Sequence, residues 1–136
     1  MSQAIPSGAA DQPLVLLVDD FQDNREMYAE FLSSAGFRVA QAASGNEALD
    51  QAFELRPDVI LMDLSLPGID GWEATRRLKQ DDRTRSIPIV AVTGHTLASH
   101  SKGAFEAGCD GFIAKPCLPE ALLTEVQRVL TARPSH

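Results

Sequence analysis

The stretch LVLLVDD, residues 14–20, sets five apolar residues without a break against two adjacent carboxylates, Asp19 and Asp20. A run this short fits a strand buried on both faces or a piece of buried helix, and periodicity alone does not separate the two. Neighbouring acids at the end of a buried element repel each other and are costly there unless something offsets their charge. The rest of the chain has to answer both points.

Four further short runs are apolar or β-branched in the main: FRVAQA (37–42), DVILMD (58–63), IPIVAVT (87–93) and DGFIAK (110–115). Between them the apolar residues fall at helical spacing. Met27, Phe31, Leu32 and Ala35 form one stripe, closed by Gly36 as a helix C-terminal signal. Ser44 and Glu47 have the spacing of a capping box and precede Ala48, Leu49, Ala52 and Phe53. Trp72, Thr75 and Leu78 line a third stretch, and Leu97, Ala104 and Phe105, closed by Gly108, a fourth. Leu122, Leu123, Val126, Val129 and Leu130 line the fifth. Strand and helix thus alternate five times, and strands apolar on both faces joined by helices predict an α/β fold with a covered parallel sheet.

The bulk composition agrees with one soluble domain. The chain has 136 residues, 44% apolar and 23% charged, with no apolar run near the roughly 20 residues that cross a bilayer. Residues 1–12 carry no basic or apolar leader and read as a flexible tail, residues 13–132 as the domain, and 133–136 as a short C-terminal tail. A cytoplasmic location is expected. Cys109 and Cys117 lack metal-ligand spacing and read as free thiols. With 19 acids against 12 bases the net charge is −7, which argues against direct nucleic-acid binding.

Ligands of open parallel sheets bind at the carboxyl ends of the strands. Strand end by strand end, this chain offers Asp19 and Asp20, then Asp63, Thr93 and Lys115. Three carboxylates and one ammonium leave −2, a charge that one Mg²⁺ balances, and hard oxygen donors are what Mg²⁺ takes. The set makes sense as a metal and phosphoryl site.

The double acid after the first strand, DLSLPGIDGWE after the third, VTG at the fourth and AKPC at the fifth resemble, in order and spacing, the receiver domain of bacterial two-component response regulators. The resemblance spans about residues 13–132 and implies a (βα)5 flavodoxin-like, doubly wound sheet of strand order 2-1-3-4-5. It implies that Asp63 is the phosphoacceptor, attacking a phosphoryl group carried on histidine to give an acyl phosphate. It further implies that Asp20 and Asp63 ligate Mg²⁺ directly with the backbone carbonyl of Ser65, and that Asp19 acts through a metal-bound water. Lys115 would hold a phosphoryl oxygen. Thr93 is similar to the family's switch hydroxyl and Phe112 to the aromatic that moves with it. Plain packing explains Phe112 nearly as well, and helix capping is the competing reading for the first acids. Asp23 is assigned to that capping.

The expected function is a phosphorylation-gated module, not an enzyme, that takes its phosphoryl group from a sensor histidine kinase or a histidine phosphotransfer protein. Its output would be a protein-binding surface made by the fourth helical stretch, the fifth strand and the fifth helical stretch. The starting methionine favours a free-standing protein, monomeric or weakly dimeric, whose output goes to a partner not identified by the sequence. Two neighbouring readings are a phosphorelay intermediate and a docking receiver that is never phosphorylated. A remoter one is a magnesium-dependent aspartyl phosphohydrolase, whose nucleophile would end the first strand in a D-x-D pattern; here the pair is contiguous.

Overall fold

A computed structural model describes residues 12–64, 71–93, 108–114 and 118–132 of the chain. The described elements are β1 (Leu14–Val18), α1 (Gln22–Ser34), β2 (Arg38–Ala42), α2 (Gly45–Leu55), β3 (Val59–Asp63), α3 (Gly71–Gln80), β4 (Ile89–Thr93), β5 (Gly111–Ala114) and α4 (Pro119–Ala132). All five predicted strands are present. The predicted fourth helical stretch, residues 97–107, lies outside the described residues, so the C-terminal helix is α4.

The strands form one sheet in the order β2-β1-β3-β4-β5, and every neighbouring pair is parallel. This is the expected order. It places β1 where the chain reverses direction across the sheet, with β2 on one side and β3 on the other. Strand residues alternate between two cores. Leu16, Val18, Ile60, Met62, Ile89 and Ala91 face the layer containing Ala48, Leu49 and Ala52 of α2 and Ala74 and Leu78 of α3. Val15, Leu17, Val59, Leu61, Val90 and Val92 face the layer of Tyr28, Ala29 and Leu32 of α1 with Leu122, Val126 and Val129 of α4. That is the physical content of an unbroken apolar run: both pleat directions meet a helix layer, so neither can be polar.

The helix ends follow their local chemistry. Leu32 O accepts the Phe37 N–H and Ser33 O the Gly36 N–H, each at 3.1 Å, while Gly36 adopts φ 103°, which closes α1 in a Schellman motif. Ser44 Oγ accepts the Glu47 N–H at 3.2 Å, and Glu47 Oε1 accepts the Ala43 N–H at 2.9 Å, one residue earlier than a capping box predicts. In α1 the expected stripe is displaced. Tyr28, Ala29 and Leu32 are buried, whereas Met27 is 45% exposed. Leu32 anchors both readings, but α1 meets the sheet on the side of Tyr28 and Ala29. Cys109 is a buried free thiol against the Thr75 side chain, and burial pushes it up to about 11. Cys117 lies outside the described residues.

Candidate functional site

At the carboxyl edge the two adjacent strands β1 and β3 deliver their acids to one place. Asp19 and Asp20 follow the last residue of β1, and Asp63 is the last residue of β3. One carboxylate oxygen from each lies within 4.8 Å of the others. Asp19 and Asp63 are each 3% exposed, while Asp20 faces solvent, so the cluster is buried on the sheet side and open at Asp20.

Asp19 is fixed through its backbone N–H, its carbonyl and one carboxylate oxygen. Its N–H donates to Ala42 O at 3.1 Å, its Oδ1 accepts the Phe21 N–H at 2.9 Å, and its carbonyl accepts Arg25 Nη1 at 2.8 Å. Phe21 is the N-cap of α1 and has no side-chain cap of its own. Asp19 therefore does not cap α1: one oxygen closes an Asx-type turn that leads the chain into the helix, and the carboxylate belongs to the cluster. Asp23 does not cap. It lies inside the first turn of α1, where its charge favours the helix dipole without a capping hydrogen bond.

The other predicted residues are placed unevenly. β4 runs beside β3 with Val92 opposite Asp63, so the backbone of Thr93 reaches the same edge. Phe112 on β5 is half-buried and packs on the core layer of α2 and α3. Ser65 and Lys115 lie outside the described residues. The three described carboxylates fit Mg²⁺ by donor chemistry: all are hard oxygens, together they bring −3, and the exposed one leaves room for metal-bound water.

At the opposite, amino-terminal edge Asp58 and Asp110, which begin the apolar runs 58–63 and 110–115 in the sequence, lie just outside the strands. Asp58 precedes β3 and its Oδ2 accepts the Leu14 N–H at 2.7 Å. Asp110 precedes β5, and its Oδ2 accepts the Ile89 N–H at 2.8 Å and Lys79 Nζ at 3.0 Å. Lys79 also donates to Ile87 O at 2.7 Å. No signal in a single sequence separates an aspartate that caps a neighbouring strand from one that begins its own. Arg25, whose Nε donates to Gln41 Oε1 at 3.1 Å, is likewise invisible in the sequence, because the contact joins α1 to β2 across 16 positions.

The three acids at the switch point of a five-stranded parallel sheet fit a metal-binding α/β domain, and the chain belongs to the response regulator receiver domain family, whose model matches residues 15–127. Among curated relatives it is 38% identical over 102 residues to the polar-differentiation response regulator DivK of Brucella anthropi, covering 75% of this chain and 83% of that one. Among solved structures it is similar to the chemotaxis response regulator CheY4 of Vibrio cholerae (35% identity, TM-score 0.83, covering 87% of this chain and 98% of that one). It is equally similar to the receiver domain of the sensor histidine kinase PA1611 of Pseudomonas aeruginosa, whose structure has a magnesium ion coordinated in the active-site cleft (34% identity, TM-score 0.82, covering 89% and 99%). No helix among the described residues is long and apolar enough to cross a membrane.

Proposed function

We propose that residues 13–132 form a receiver that accepts a phosphoryl group on Asp63 from a histidine kinase or a histidine phosphotransfer protein. The observation that carries this reading is the convergence of Asp19, Asp20 and Asp63 within 4.8 Å at the strand-order reversal. Asp63 Oδ attacks phosphorus, the P–N bond to the donor imidazole breaks, and the leaving nitrogen takes up a proton, which leaves an acyl phosphate on Asp63.

Burial of Asp63 between strands fixes the direction of its carboxylate, and the exposed side at Asp20 is the approach for the donor. Asp20 and Asp63, with the carbonyl of Ser65, would hold Mg²⁺, and Asp19 would act through a bound water. Bound Mg²⁺ supplies charge neutralisation for the transferring oxygens. Lys115 holds one of those oxygens, and Thr93 and then Phe112 respond to the new charge by shifting the output surface. The resemblance of the AKPC and VTG segments to the family supports these last assignments.

Incubation with acetyl phosphate and Mg²⁺, followed by intact-mass measurement, tests the reading. The wild type gains one alkali-labile phosphoryl group, and Asp63→Asn gains none. An equal adduct on both proteins, or none on a folded wild type, overturns it.

A further inference from the structure

The two acids of the cluster that come from one loop are joined by a single peptide group, and the direction of that group sets how both carboxylates point. Its carbonyl belongs to Asp19 and accepts Arg25 Nη1 at 2.8 Å. Arg25 lies one turn into α1, and its Nε donates to Gln41 Oε1 on β2 at 3.1 Å. Gln41 is held in turn, because its main-chain carbonyl accepts Gln51 Nε2 of α2 at 2.7 Å. Immediately before that peptide, the Asp19 N–H is tied to β2 at Ala42 O. The β1 ladder ends at Val18, and beyond it β2 continues to hold the chain, first directly and then through Arg25.

We infer that Arg25 is a positioning residue for the metal site: its guanidinium, braced by Gln41, fixes the Asp19–Asp20 peptide and thereby the two carboxylates that face the cation. The inference rests on the acid cluster being the Mg²⁺ site. The planar guanidinium is suited to this because its Nε and Nη1 reach two acceptors in fixed relative directions, which a lysine ammonium does not reproduce. The positive charge of Arg25 works the other way, since a cation beside the cluster repels Mg²⁺. Positioning and charge therefore predict opposite signs when Arg25 is removed.

The test is the Mg²⁺ dissociation constant, measured by isothermal titration calorimetry on the unphosphorylated full chain, beside the thermal midpoint without metal. Loss of a group that orients metal ligands weakens affinity by about 10-fold at the low end of its usual range. Arg25→Ala and Arg25→Lys are both expected to weaken Mg²⁺ binding by about that factor, and Gln41→Ala by less, because Arg25 then keeps one of its two bonds. A purely structural role would lower the midpoint and leave the affinity of the folded protein unmoved, which overturns the inference. Tighter binding by Arg25→Ala, or wild-type affinity in Arg25→Lys, overturns it in favour of charge. Gln41→Ala and Arg25→Lys keep the question decidable if Arg25→Ala does not fold. Should the wild type itself bind no Mg²⁺, the metal-site reading falls and takes this inference with it, whereas normal binding in every variant removes only the role of Arg25.

Discussion

The two edges of the sheet use aspartate for opposite purposes. At the amino-terminal edge, Asp58 and Asp110 each end in a hydrogen bond to the first N–H of a neighbouring strand, Leu14 of β1 or Ile89 of β4. They stand apart from each other and satisfy donors the sheet would otherwise leave open. At the carboxyl edge, Asp19, Asp20 and Asp63 converge within 4.8 Å, where like charges repel one another. Acid that supports the fold is dispersed and matched to donors. The acids at the carboxyl edge are instead gathered into one cluster.

That contrast can be broken at several points. The largest expected effect is at Gly71, where the two purposes meet: a Cβ there would collide with Asp63 O. Gly71→Ala forces the start of α3 off the end of β3 and should cost about 3 kcal/mol by overpacking. Denaturant melts and acetyl phosphate labelling should fall together, and a variant that keeps both would deny the close approach. Next in size is Asp110→Ala, which strands the Ile89 N–H and takes one acceptor from the Lys79 ammonium. Chemical denaturation should report a loss of about 2 kcal/mol, mostly from the N–H because Asp110 is 42% exposed and its ion pair is screened. Phosphorylation of the folded fraction should be untouched. Asp58→Ala should behave likewise at about 1 kcal/mol. If either amino-edge variant abolishes labelling without unfolding, the division of labour between the edges is wrong.

The smallest effect separates a paired surface acid from both groups. Hydrogen bonds from Arg83 hold the Asp81 carboxyl down at about 2. A depressed carboxyl contributes stability that is present above its unfolded value, near 4, and is lost as pH falls toward 2. Acid titration of the melting temperature should show this small decline, and Asp81→Asn should flatten it, with no change in labelling at neutral pH.

Much of this was legible in the chain. The apolar or β-branched runs and the helical spacing between them pointed to the five strands, most clearly at β1 and β3, where a run with no polar side has to lie between two covering layers. The capping pair Ser44 and Glu47, the stop at Gly36 and the buried line of Leu122, Val126 and Val129 are local features, and they hold in the structure because their partners are within a turn or two. Asp19, Asp20 and Asp63 were legible as a group only because strand ends in a parallel sheet share an edge.

What the sequence determined by itself is therefore what local physics encodes: element type, helix ends, and the list of acids carried to strand ends. Only the tertiary structure decided which face of α1 is buried, turning Tyr28 and Ala29 inward in place of Met27. It also decided that Asp58 and Asp110 cap neighbouring strands, that Asp19 rather than Asp23 turns the chain into α1, and that Arg25 reaches the peptide between the two acids. Most of these depend on which elements lie side by side, and residues 44 positions apart, such as Leu14 and Asp58, become partners only once the strand order is set.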